Sequence, residues 1–136
     1  MAGIDPKLNA LGTTILDAAF KVHTELGPGL LESAYRVCLA HELRLRGLEV
    51  LEEVKLPVVY EGVELDQAYR IDLLVNGAVI VEVKAVLEMH PVYEAQVLTY
   101  LRLSGCELGY LLNFHVPMLK NGIKRLILTP DRKTTV

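Results

Sequence analysis

The segment Val79-Ile80-Val81-Glu82-Val83-Lys84-Ala85-Val86 constrains this chain more than any other. Apolar residues occupy both alternating sets of positions, the pattern of a strand buried on both faces within a sheet. Yet it carries two charges. Side chains two apart share a face, so Glu82 and Lys84 point the same way. An ionised group inside a protein is costly unless it is paired or holds a metal, which makes such residues functional candidates. Asp72 lies ten residues before Glu82, at the end of Tyr69-Arg70-Ile71-Asp72. An Asp, a gap and Glu-x-Lys supply two carboxylates for a hard cation, with an ammonium beside them. That set suits metal-assisted phosphodiester chemistry. The competing explanation is a structural pair between Lys84 and a carboxylate, or two solvated charges.

Register decides whether these groups can meet. Asn76-Gly77 is a strong hairpin signal between the two strands. A two-residue turn would pair Val75 with Ala78 and Asp72 with Val81, leaving Glu82 on the face away from Asp72. A shared site therefore requires a three-residue loop with a bulge, or a bulge further along the strands.

The rest of the chain reads as one domain over residues 1–136, long enough for a real core. Asp5-Pro6 is a helix start, and Leu8, Leu11, Ile15, Ala18, Val22 and Leu26 follow at helical spacing. Gly27-Pro28-Gly29 ends that helix. A second helix is expected from about Leu30 to Arg46, stopped by Gly47. Strands follow over about Glu49–Tyr60, with Pro57 marking an edge or bulge, and Val63–Val75 after a turn at Glu61-Gly62. A third helix runs from Pro91 to about Ser104, closed by Gly105. Leu108–Phe114 and Lys124–Thr129 read as two further strands, with a turn at Asn121-Gly122. The order is α, α, β, β, β, α, β, β.

Composition excludes several classes. Nothing approaches the roughly 18 apolar residues of a membrane span. The first residues lack a basic stretch followed by an apolar one, so no signal peptide is visible. Cys38 and Cys106 are isolated, which reads as two reduced, mostly buried thiols in a cytoplasmic protein. A net charge of −3 argues against a broad basic surface that coats nucleic acid, but leaves room for a local patch.

Three further groups accompany the strand signal. Gln96 and Tyr100 are four apart on the third helix and share a face, from which an amide and a hydroxyl can reach a phosphate or a metal-bound water. Their structural explanation is a buried Tyr beside a surface Gln. Glu32 opens the second helix, where the helix dipole favours an acid and Arg36 stands at i+4. Its functional explanation is a third carboxylate aimed at the metal, with Tyr35 on the same side as a substrate contact. His23, His41, His90 and His115 show no metal-ligand spacing. No Ser-His-Asp set, Cys-His set or phosphate-binding Gly-Lys loop is present.

Gly29-x-x-Glu32-x-x-Tyr35 resembles the signature of the small bacterial and archaeal GxxExxY family, which belongs to the PD-(D/E)XK nuclease superfamily. The resemblance runs from about Leu8 to Leu128 and takes in Asp72, Glu82-Val83-Lys84, Glu94-Ala95-Gln96 with Tyr100, and Asn113-Phe114. It implies an α/β (α+β) restriction-endonuclease-like αβββαβ core, here with an extra N-terminal helix and a C-terminal strand. It also implies roles. Glu32 resembles the acid of the first core helix, and Asp72 the metal-binding Asp of the second strand. Glu82 and Lys84 look like the third-strand acid and catalytic lysine. Gln96 and Tyr100 resemble the Gln-x-x-x-Tyr of the exonuclease-like branch. Tyr93 stands where many relatives have a histidine, so no catalytic role is carried over to it.

These observations lead to a metal-dependent phosphodiester hydrolase acting on nucleic acid. Mg²⁺ or Mn²⁺ is expected at Asp72 and Glu82, with Glu32 in or near the shell. Lys84 is expected to act on the attacking water, while Gln96 and Tyr100 orient the phosphate. A homodimer would let so small a domain reach both strands of a duplex. The alternative is a catalytically silent nuclease-fold module that binds a partner protein or nucleotide.

Overall fold

The computed structural model describes residues 3–129, and for residues 66–68 the backbone alone. The order is helices α1 (Pro6–Leu26) and α2 (Glu32–Leu45), strands β1 (Val50–Tyr60), β2 (Val63–Val75) and β3 (Val79–Lys84), helix α3 (Pro91–Ser104), strand β4 (Leu108–Asn113), a 3-10 turn (Leu119–Gly122) and strand β5 (Ile123–Ile127). The five strands lie side by side in chain order. Among the described strands only β3 and β4 run parallel, joined by α3, as a parallel pair requires a crossover. This is the mixed α+β, restriction-endonuclease-like arrangement expected from the sequence.

The helix ends follow the local chemistry. The Asp5 carboxylate accepts the Lys7 amide at 2.7 Å, and Pro6 fills the first helical position of α1. Helix α2 begins at Glu32, later than the sequence implied, because Gly27 and Gly29 take φ of 66° and 108°. Those left-handed conformations favour glycine and delay the helix. Gly105 caps α3 in the left-handed conformation.

Two apolar layers sandwich the sheet. Helices α1 and α2 cover one face, where Ile15, Ala18, Tyr35, Leu39 and Leu43 meet Leu73, Val75, Val81, Val83, Tyr110 and Leu112. Helix α1 comes close: a Cβ on Gly12 would collide with the Tyr110 hydroxyl. Helix α3 covers the other face, where Val97, Tyr100 and Leu101 meet Ile71, Ile80 and Leu111. Cys38 and Cys106 are free but only half-buried, which corrects the expectation of mostly buried thiols. Cys38 packs against the edge of the α1/α2-side core and Cys106 against the edge of the α3-side core.

The hairpin between β2 and β3 has a three-residue loop, one of the two arrangements that would bring the acids together. Val75 pairs with Val79, so Asn76, Gly77 and Ala78 form the turn. Asn76 and Gly77 both adopt positive φ, at 52° and 62°. The register Leu73↔Val81 places Asp72 level with Glu82.

A fault in the sheet sits at the same level. Leu73 packs into the α1/α2 core, whereas Ile71, two residues earlier, packs into the α3 core. An unbroken strand cannot do this, because residues two apart share a face. The partner strand inverts at the matching point. Glu52 reaches Arg36 and Arg44 on α2, while Val54 packs on the α3 side. Between them Glu53 adopts φ of 52°, a conformation that non-glycine residues seldom take. Glu53 and Asp72 thus mark the point where both strands turn over.

Candidate active site

Asp72 and Glu82 meet where the β2–β3 ladder opens. Beyond Leu73↔Val81 the two strands exchange side-chain bonds. The Asp72 amide donates to Glu82 Oε1 at 2.9 Å, and the Val83 amide donates to Asp72 Oδ2 at 2.8 Å. Each carboxylate keeps one oxygen outside these contacts. Glu82 is 4% exposed and Asp72 is half-buried.

The electrostatics are those of a hydrogen-bonded acid pair with cations nearby but none in ion-pair contact among the described residues. Burial raises the Asp72 carboxyl above its ordinary range, against the opposing Val83 amide, Lys84 and Arg36. Burial first, and then the Asp72 charge, pushes Glu82 up to about 8. None of the five ion pairs among the described residues includes Asp72, Glu82 or Lys84. That counts against a structural Lys84–carboxylate pair.

Lys84 ends β3, where strand pairing with Asn113 and a 2.9 Å bond from the Phe114 amide to its own carbonyl fix its backbone. Its ammonium lies 4.5 Å from the centroid of the Tyr93 ring. Asn113 is buried at 2% exposure and staples the next segment. Its Oδ1 accepts the Val86 and His115 amides at 3.1 and 3.2 Å, and its Nδ2 donates to the Val86 carbonyl at 2.9 Å.

Tyr100 comes from α3, 3% exposed, its ring edge-on to Tyr69 with centroids 6.0 Å apart. Burial, and then the charges of Glu82 and Asp72, push its phenol up to about 12. It therefore keeps its proton and can only donate or accept a hydrogen bond near those acids. Gln96, one turn earlier, opens with Tyr69, Val92, Ala95 and Thr99 onto a neighbouring depression of about 330 Å³.

Glu32 stands at the mouth on the α2 side. With Leu31, Ser33, Arg36, Glu53 and Asp72 it lines an open depression of about 390 Å³. Surrounding protein raises its carboxyl, with Lys84 opposing and Asp72 adding to the effect. No group of three Asp, Glu, His or Cys among the described residues converges to cage a metal alone. Glu32 thus faces the acid pair without completing a three-carboxylate cluster. The all-oxygen pair nevertheless fits a small hard cation, which takes one or two carboxylates and fills its remaining positions with water or phosphate oxygens.

Two expectations change. Tyr35 is fully buried; its ring stacks on Phe114 with centroids 4.7 Å apart. Its hydroxyl donates to the Gly27 carbonyl and accepts the Leu30 amide. It therefore locks the Gly27–Gly29 loop that presents Glu32, and has no surface for a substrate. Arg36 does not close on Glu32 as the i+4 spacing suggested. It reaches Glu52 at 2.6 Å and Glu53 at 3.7 Å, pinning the fault beside Asp72. The resemblance takes in Asn113, but its role as a buried staple and the reach of Arg36 to a distant strand leave no short-range signal in the sequence.

The raised Glu82 carboxyl makes stability depend on pH. Between pH 4.5 and about 8 the folded state holds a proton that the unfolded chain releases. Stability therefore falls as pH rises through that window, by an amount on the order of a few kcal/mol. Urea unfolding in chelator at pH 5 and pH 8.5 should show this loss in the native protein. Glu82→Gln should remove most of it, and an equal loss in both proteins would refute the assignment.

A family model described as the PD-(D/E)XK nuclease superfamily matches residues 9–126. Comparison with curated proteins and with solved structures gave no match.

Proposed function

Because the chain belongs to the PD-(D/E)XK nuclease superfamily, we propose that it is a divalent-metal-dependent phosphodiester hydrolase acting on nucleic acid. The observation that carries this reading is the Asp72–Glu82 pair: two adjacent carboxylates, one buried and one half-buried, with no ion pair to a cation among the described residues. Such a pair is unfavourable by itself and becomes favourable beside a cation. Asp72 and Glu82 would hold Mg²⁺ or Mn²⁺, with Glu32 at the edge of its water shell. When bound, the cation neutralises phosphate charge and makes water more acidic.

The chain's own residues do the rest. Lys84 projects from the same strand face as Glu82, placing an ammonium beside the acids where it can orient the attacking water and offset charge developing on the phosphoryl oxygens. Tyr100, kept protonated, donates to a phosphate oxygen or a water. Gln96 lies one turn towards the α3 N-terminus and contacts the neighbouring part of the strand. From Gly29, Glu32 and Tyr35 we further read the chain as a member of the GxxExxY group. That reading is supported by separable jobs: Gly29 supplies the positive φ, Tyr35 locks the loop and Glu32 faces the site. Among the described residues no helix is long and apolar enough to cross a membrane. A cytoplasmic setting and a homodimer reaching both strands of a duplex are part of the same proposal.

Titration calorimetry tests the metal. The native protein should give heat with Mg²⁺ and Mn²⁺ that Asp72→Asn and Glu82→Gln abolish. Equal binding by all three would refute the site. No binding by native protein, together with no cleavage of DNA or RNA, would move the assignment to a silent binding module.

A further inference from the structure

Lys84 has two acids for neighbours and forms an ion pair with neither. A flexible ammonium in a partly buried site is drawn strongly towards carboxylates, so some other contact must hold it. That contact is Tyr93. The Lys84 ammonium sits 4.5 Å from its ring centroid, within the range of a cation–π attraction. The ring is itself well fixed. It packs against the α3-side core, in the first turn of α3, where the Tyr93 amide donates to the His90 carbonyl at 3.0 Å. The His90 ring meets it at 71°, with centroids 5.6 Å apart.

We propose that Tyr93 is a positioning residue for Lys84: its ring holds the ammonium off the Asp72–Glu82 pair, leaving the carboxylates open to a cation and the ammonium open to phosphate. The inference rests on the metal-dependent reading above. Without the ring, Lys84 would swing onto the acids and compete with the cation for them.

Two readouts on the full chain separate this role from simple packing. Reductive methylation with ¹³C-formaldehyde labels the lysines, and Lys84→Arg assigns the Lys84 methyl signal. Ring current should place that signal upfield of the other lysines in native protein and in Tyr93→Phe. Tyr93→Leu, which keeps apolar bulk against the core, should return it to the common position. Mn²⁺ calorimetry is the second readout. Tyr93→Leu should weaken binding about two- to thirty-fold, the range that a lost cation–π contact converts to. Tyr93→Phe should bind as the native protein does. Adding Lys84→Ala to Tyr93→Leu should restore affinity, because the competing ammonium is gone. A Lys84 signal unmoved by Tyr93→Leu, or Mn²⁺ binding unaffected by it, overturns the proposal. If the native protein binds no Mn²⁺, the metal reading fails, and the methyl signal alone decides whether Tyr93 holds Lys84.

Discussion

Lys84→Ala is expected to lose on the order of 100-fold or more of metal-dependent cleavage while the folded protein melts close to the native temperature. The size follows from where the charge sits. An ammonium held in place before reaction stabilises negative charge as it develops on phosphate, and removing one such fixed donor typically costs this much. The small stability effect follows from the contacts. The Lys84 side chain forms no ion pair among the described residues, and its ring contact with Tyr93 is worth about 1 kcal/mol at a half-exposed position. Its backbone is held by β4 through Asn113 and Phe114, and that survives truncation to Ala. The assay should compare single- and double-stranded DNA and RNA, with and without Mg²⁺, alongside melting curves. Cleavage unchanged by Lys84→Ala would locate the activity elsewhere, or in a contaminant.

What the sequence conveys about this molecule depends on the range of the interaction. Strand β3 was legible because its apolar run and its charges conflict within six residues. A shared face for Asp72 and Glu82 excluded the plain two-residue turn, and of the two remedies it left open, a three-residue loop or a bulge further along, the hairpin has the loop. Helix α3 falls where Pro91 and Gly105 mark it. Long-range contacts were not legible. Arg36 and Glu32 satisfy an i+4 rule on paper, yet Arg36 turns to Glu52 and Glu53 because β1 passes close to α2. Tyr35 lies three residues from Glu32, but Phe114 from the far end of β4 draws it into the core. The inversion at Glu53 leaves no mark in the alternation of β1 that distinguishes it from an ordinary edge strand, although it positions Asp72. The site is therefore readable as a set of residue types on β2, β3 and α3. Its supports, Asn113, Arg36 and Tyr93, are properties of the fold.

Asp72→Asn is expected to raise the melting temperature in chelator and to abolish the stabilisation that Mg²⁺ gives the native protein. In chelator burial raises the Asp72 carboxyl, and burial together with repulsion from the Asp72 charge pushes Glu82 up to about 8, so Glu82 ionises only at a cost. An amide removes that repulsion. It also keeps the local structure, since the Asn side-chain oxygen can still accept the Val83 amide that now binds Asp72 Oδ2. A gain of about 1 kcal/mol corresponds to roughly 3–6 °C for a chain of this size. Functional sites commonly carry such unfavourable arrangements, and neutralising them stabilises the fold while removing activity. With Mg²⁺ at about 100 times its dissociation constant, binding adds about 2.7 kcal/mol to the native protein, a rise on the order of 10 °C. The variant should show almost none of it, so the order of the two melting temperatures should reverse between chelator and Mg²⁺. A structural Lys84–Asp72 pair predicts the opposite in chelator, because breaking a half-buried pair leaves the ammonium without its partner. A lower melting temperature for Asp72→Asn in chelator, with no Mg²⁺ effect on native protein, would assign these charges to the scaffold and remove the metal site.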